Sequence, residues 1–302
     1  MEKRLTQSDY LFVLLFIFML VAALGAFFFG LKLGNEKASA RYEVLLAKLG
    51  AQDDTLNAYQ QQYLVSFYHT IYQPYREFHQ RWFDSMSELA AAPEADASRI
   101  LKQLSKLAAD KYDELGKKSM PASSPLLADA LADYRRSLKL FAEGLDGAYS
   151  KADAAPASAL VGLLTADPHL TEAKSLALKA EERFYAAIVK WNESQAALPS
   201  APAPEQPLAF QDWNGLGFNM KADYVAQWLV RQKAFHPFTP HDAVSRADEL
   251  IASGQASRMN LTEVGQVLEL LIATDAVRPG DFMRYKSRYA GETLPQLPFY
   301  TE

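Results

Sequence analysis

The chain has 302 residues, 49% of them hydrophobic and 22% charged, with a formal net charge of −5 and a pI near 5.6. That balance excludes wholesale disorder and argues against a nucleic-acid surface as the main business of the chain. There is no cysteine, so disulfides, thiol nucleophiles, zinc–thiolate sites and iron–sulfur clusters are excluded together.

Residues 1–9 form a short tail carrying Lys3 and Arg4. Residues 10–31, YLFVLLFIFMLVAALGAFFFGL, then run without a charged side chain. At ~1.5 Å rise per residue such a helix crosses the ~30 Å hydrocarbon core of a bilayer. Basic residues, an apolar run and the small residues Ala23, Gly25 and Ala26 have the order of a secretory signal. Phe27, Phe28 and Phe29 prolong the apolar run past the best cleavage position, which predicts an uncleaved signal anchor. Lys3 and Arg4 on one side face Lys32, Lys37, Arg41 and Lys48 on the other, so basic residues alone do not set the orientation. The short tail before a first apolar segment favours a cytoplasmic N-terminus and an extracytoplasmic bulk, in a cell membrane crossed once.

Residues 32–198 read as a helical bundle. Lys32 to Leu49 predicts a juxtamembrane helix closed by Gly50. A second helix, from about Thr55 to Ala92, carries Tyr59, Tyr63, Phe67, Ile71, Tyr75, Phe78 and Trp82 at spacings of three and four, with Leu64, Tyr68 and Tyr72 as a second stripe. Pro74 interrupts it and predicts a kink or break near Gln73. Ile100 to Leu115, capped by Asp96 or Ser98 and closed by Gly116, gives the next helix. Ser124-Pro125 opens a seam of Leu127, Leu131, Tyr134, Leu138, Phe141 and Leu145, the alternating pattern of antiparallel bundles. Residues 150–160 read as connection. Asp167-Pro168 then starts a helix whose buried face runs from Leu170 to Trp191.

Residues 199–207, rich in Pro, Ala and Ser, read as an extended linker, and 208–302 as a small helical C-terminal domain. Within that domain the sequence predicts helices over Asn219–Lys233, after Thr239-Pro240, after the capping-box pattern Asn260 to Glu263, and from Asp281 through Tyr289. The fold class is therefore all-α: one transmembrane helix, an antiparallel helical bundle and a small helical C-terminal domain.

Chemistry-bearing motifs are scarce. His236-Pro-Phe-Thr-Pro-His241-Asp242 holds two imidazoles and a carboxylate, but at no spacing used by helical zinc sites. The two prolines explain it as the loop into a helix. Carboxylate pairs such as Glu181/Glu182 read as solvated surface charge, and no nucleophile elbow, Walker loop or dinucleotide fingerprint is present. The sequence thus predicts no catalytic residue, no cofactor and no metal. Two sets of side chains qualify as contacts. Tyr63, Tyr68, Tyr72 and Trp82 could line a ligand cleft or an interface, although filling a bundle core is the plainer use of aromatic residues. Arg284, Lys286 and Arg288 interleave with aromatics in a stretch suited to an anionic contact, against the plainer reading of a solvated helix face. The expected function is binding, as an envelope scaffold, adaptor or complex subunit with a protein partner and no nucleic acid. The alternative is a small-molecule sensor that uses the aromatic cleft.

Overall fold

The computed structural model describes residues 16, 18–20, 59–91, 96–150, 157–195 and 207–301. The chain divides into two compact units, Met1–Ala51 and Gln52–Glu302. In the first, the described residues Phe16, Phe18, Met19 and Leu20 are helical, and each exposes half or more of its surface, up to 72% at Phe18. Most of the apolar run, the juxtamembrane segment and the linker lie outside the described residues. Among the described residues no helix is long and apolar enough to cross a membrane.

The second unit is all-helical, and its described residues form no strand beyond a single bridge between Ala209 and Glu263. Helix α1 (Gln61–Phe67) runs through a π-helical turn (Tyr68–Tyr72) into α2 (Gln73–Ala91). The kink expected at Pro74 takes this form. Proline has no N–H and its ring crowds the carbonyl four residues back, so the preceding turn widens by one residue. Gln73 stays in the right-handed helical region and the helix continues unbroken.

Helix α3 (Ala97–Gly116) is capped by the Asp96 carboxylate, which accepts from the Arg99 N–H at 2.9 Å. Helix α4 (Pro125–Tyr149) buries its whole predicted seam, from Leu127 to Leu145. Residues 157–166, part of which reads as connection in the sequence, form a helix, α5 (Ala157–Ala166). Asp167 caps α6 (Pro168–Gln195), accepting from the Leu170 N–H at 3.0 Å. Leu170, Ala173, Ala177, Ala180, Phe184, Ile188 and Trp191 of α6 are all buried. The α1–α2 rod, α3, α4 and α6 pack side by side, most closely α4 on α6 and α3 on α4. Their shared core is aromatic: Tyr75 lies 4.2 Å from Tyr134 between ring centres, Phe67 4.8 Å from Phe184, and Trp82 4.9 Å from Phe141. Each such ring contributes burial worth roughly 1.5–3 kcal/mol.

Beyond the linker come α7 (Phe210–Asn214), α8 (Phe218–Gln232), α9 (Pro240–Ala252), α10 (Gln255–Arg258), α11 (Val264–Ala273), α12 (Asp281–Tyr285) with a 3-10 turn (Lys286–Tyr289), and α13 (Pro298–Thr301). Helix α8 packs lengthwise on α6, so the helices on either side of the linker share one compact unit. Two caps are informative. Thr239 and Asp242 close a capping box at the start of α9, where the sequence places a cap. At α11 the box is formed by Glu263 and Gln266, three residues later than Asn260, which instead adopts a left-handed conformation (φ 59°).

The interior of this region is tied by Asp248. Its carboxylate accepts from Trp213 Nε1 at 2.6 Å, from Lys221 Nζ at 3.0 Å and from the Tyr289 hydroxyl at 2.8 Å, which joins α7, α8, α9 and the 3-10 turn. A buried charge is tolerated when its lone pairs are filled in this way.

Candidate functional site

The π turn sits where the α1–α2 rod meets the start of α9, the loop before α12 and the C-terminal α13. These elements enclose a cleft of about 330 Å³. Its walls include Tyr68, Tyr72, Phe299 and Met283, and its polar groups include Arg76, His241 and Asp242. Phe299 closes the aromatic wall, 5.3 Å from Tyr68 and 6.1 Å from Tyr72 between ring centres, and it stacks on the His241 imidazole at 4.6 Å and 12°. Gly280, in the left-handed region at φ 84°, turns the chain along the rim just before α12.

Behind the aromatic wall lies a chain of buried polar groups. The Thr239 hydroxyl donates to Asp242 Oδ2 at 2.7 Å, so its contact with His241 Nε2 at 2.8 Å must be donated by the imidazole. That leaves Nδ1 as the acceptor for the Tyr185 hydroxyl. The order Tyr185 to His241 to Thr239 to Asp242 therefore fixes His241 as the neutral Nε2–H tautomer. Burial pushes its pKa down to about 4; Asp242 opposes this and Arg76 adds to it. Asp242 is itself saturated, since Oδ2 also takes the Thr239 N–H and Oδ1 takes the Phe282 N–H at 3.0 Å.

Arg76, one turn beyond Tyr72 on α2, is partly buried and also borders a much smaller inner void. It donates to the Pro237 carbonyl at 2.9 Å and to His79 Nδ1 at 3.1 Å. Burial, and after it the Arg76 charge, hold the His79 pKa well below the ordinary histidine range. Across the same void Glu181 Oε1 accepts from the Tyr72 hydroxyl at 2.9 Å. Burial raises the Glu181 pKa, with Arg76 opposing. Burial, and after it Glu181, also raise the Tyr72 pKa well above its usual value. Glu181 is therefore not the solvated surface charge that its pairing with Glu182 suggests. It is partly buried and bonded across the bundle.

The two predicted sets of contact residues fall in different places. Tyr68 and Tyr72 line the cleft, whereas Tyr63 (6% exposed) and Trp82 (3% exposed) are core residues. Arg284 lies beside Asp281 at 3.4 Å, Lys286 donates to the Thr301 carbonyl at 2.9 Å, and Arg288 pairs with Glu249 at 2.6 Å. Arg76, Thr239, His241, Asp242 and Phe299 complete the cleft and were not singled out for it from sequence. In sequence His241 and Asp242 stood out only within the stretch His236 to Asp242, whose two prolines read as the loop into a helix, and nothing tied that stretch to Tyr68, Tyr72, Arg76 or Phe299. Among the described residues no group of three His, Cys, Asp or Glu side chains is placed to hold a metal ion.

An aromatic wall with a few convergent polar groups is the general form of a small-molecule site. A π turn in an α-helix frequently marks such a place. The chain matches no family model, no curated protein and no solved structure. The class defined by the structure is thus that of the fold, an all-helical bundle with an aromatic cleft.

Proposed function

We propose that this is a single-pass, membrane-anchored helical protein that acts by binding, and that the cleft beside the π turn holds a small molecule. The observation that carries this reading is the cleft itself, in which a guanidinium, an imidazole and an aromatic wall converge from four separate segments. Binding is preferred to chemistry because the polar groups are committed to holding structure: Asp242 caps α9 and His241 is kept neutral between Tyr185 and Thr239. Support for the anchor comes from the uncharged 10–31 run and from the exposed apolar side chains of Phe16, Phe18, Met19 and Leu20. An extracytoplasmic bulk remains the orientation we favour.

A metabolite panel screened by melting shift on the full chain in detergent tests the cleft. The expected hit shifts the wild type and loses its effect in Met283→Trp, which fills the cleft from its 37%-exposed rim position. Hits that shift both proteins equally would place the site elsewhere. The anchor and its orientation are tested in the cysteine-free background by Ser200→Cys. An impermeant maleimide should label it on intact cells, and labelling only after lysis would reverse the topology.

A scaffold role toward a protein partner is the second reading. It is favoured by Leu163, 53% exposed at the rim of another cavity, of about 310 Å³, between α4, α5 and α6. A stoichiometric partner recovered from detergent, with no ligand shift, would favour it.

A further inference from the structure

We infer that the cleft selects a small apolar monocarboxylate, whose carboxylate meets the Arg76 guanidinium while its apolar body lies against Tyr68, Phe299 and Met283. The inference rests on the reading of the cleft as a ligand site.

Three features of the cleft lead to this chemistry. The first is the state of Arg76. Both of its hydrogen bonds go to uncharged acceptors, the Pro237 carbonyl and His79 Nδ1, and no carboxylate among the described residues lies within 4.0 Å of its nitrogens. A guanidinium has five donors in a planar fork, and a partly buried one without a contact ion pair gains more from an incoming anion than an exposed one does. Carboxylate is the planar anion that fits the fork two bonds at a time.

The second feature is the neighbouring negative charge, which limits the ligand to one anionic group. Glu181 and Asp242 both act on Arg76 at longer range. Neither competes for the ligand's place by contact, because Glu181 is engaged by Tyr72, and Asp242 by the Thr239 N–H and hydroxyl and the Phe282 N–H. A dianion such as a phosphate monoester would be repelled by both carboxylates with a single cation to offset them.

The third feature is the rest of the wall. Tyr68, Phe299, Met283, Pro279 and Pro298 present rings and a thioether, surfaces that suit an aromatic or aliphatic body. A volume of about 330 Å³ is at the small end for ligand pockets, which excludes large lipids.

The test uses three probes of one shape and different charge, phenylacetate, phenylacetamide and phenethylammonium, with hexanoate as an aliphatic acid. Binding is measured by calorimetry on the full chain in detergent. An acid should bind at least about tenfold more tightly than the amide or the cation. In Arg76→Gln that preference should vanish while the melting temperature shows the protein still folded. Since Arg76 also holds Pro237 and His79, Gln73→Glu serves as the second variant. It adds a negative charge at the cleft wall without removing any Arg76 hydrogen bond, and should weaken the acids and strengthen the cation. The inference is overturned if the cation binds as well as the acids, if acid and amide bind alike, if Arg76→Gln keeps the preference, or if neither acid binds at up to about 10 mM. Should the amide or cation bind and Met283→Trp abolish that binding, the cleft stands as a ligand site and only its anion selectivity fails. If no compound in either screen distinguishes wild type from Met283→Trp, both readings fall.

Discussion

His241 and Asp223 are buried groups whose burial opposes their charged forms, and they act on stability in opposite pH directions. A histidine in the unfolded chain takes its proton near 6.5, whereas His241 does so only at about 4. Its contribution is therefore fully present above about pH 6.5 and is lost as pH falls toward 4, by up to about 3 kcal/mol. His79, depressed in the same direction, adds to the loss. Denaturant unfolding across this range should show stability falling with acid, and His241→Phe should flatten the slope. An unchanged slope would mean that His241 takes up its proton as readily in the folded chain as in the unfolded one. Asp223 on α8 behaves oppositely. Burial raises its pKa to about 7; Gln227 opposes this as a hydrogen-bond donor, and Glu182 and Glu193 add to it. Its Oδ1 has no hydrogen-bond partner. Stability tied to neutral Asp223 is full below about pH 4 and is lost as pH rises through 7. Asp223→Asn should raise stability at pH 8 by a few kcal/mol, at most about 4, and change little at pH 4. Equal effects at both pH values would contradict this assignment.

At the scale of helices, close approach is most visible where α4 meets the start of α6. A Cβ added to Gly144 would lie 2.8 Å from Leu170 Cδ2 and 2.9 Å from its Cγ, inside the packed core. Alanine gains up to ~1 kcal/mol of helix propensity over glycine, while overpacking costs about 1–3 kcal/mol. Gly144→Ala should therefore lower the melting temperature, and a rise would show that Leu170 gives way freely. Most of these helices were legible in the sequence, because α3, α4, α6 and α9 start at a proline or a capping residue, and the apolar seams of α3, α4 and α6 recur at helical spacing. Helix α8, buried on all sides and without a capping side chain, was legible only from its apolar content. Helix α5 was not legible as a separate element, since Ala, Ser and Pro dominate its approach and its apolar residues show no narrow face. The π turn left a trace, Pro74, but a proline announces only a perturbation and not its form. The cleft was half legible. Tyr68 and Tyr72 stood out as a stripe on one helix, whereas their partners come from residues far away in the chain. Tyr72 meets Glu181 across 109 positions, and Arg76 meets Pro237 across 161. No periodicity within one helix encodes such pairings.

For the whole molecule, the helices beyond the Pro-rich linker pack against the bundle, and the cleft forms where the two meet. The α1–α2 rod supplies Tyr68, Tyr72 and Arg76, and the later helices supply His241, Met283 and Phe299. A ligand held there would touch both portions at once and should stabilise them together. Methionine offers the most direct reporter, because the chain has only seven and Met283 lines the cleft, while Met259, also exposed at 45%, does not. With the methionine methyl groups labelled with carbon-13, the full chain in detergent would be titrated with phenylacetate and with the strongest hit of the metabolite screen. Binding in the cleft should make the Met283 methyl resonance shift and saturate while Met259 stays in place. A Met283 resonance unmoved by saturating ligand, or a Met259 shift of equal size, would contradict it.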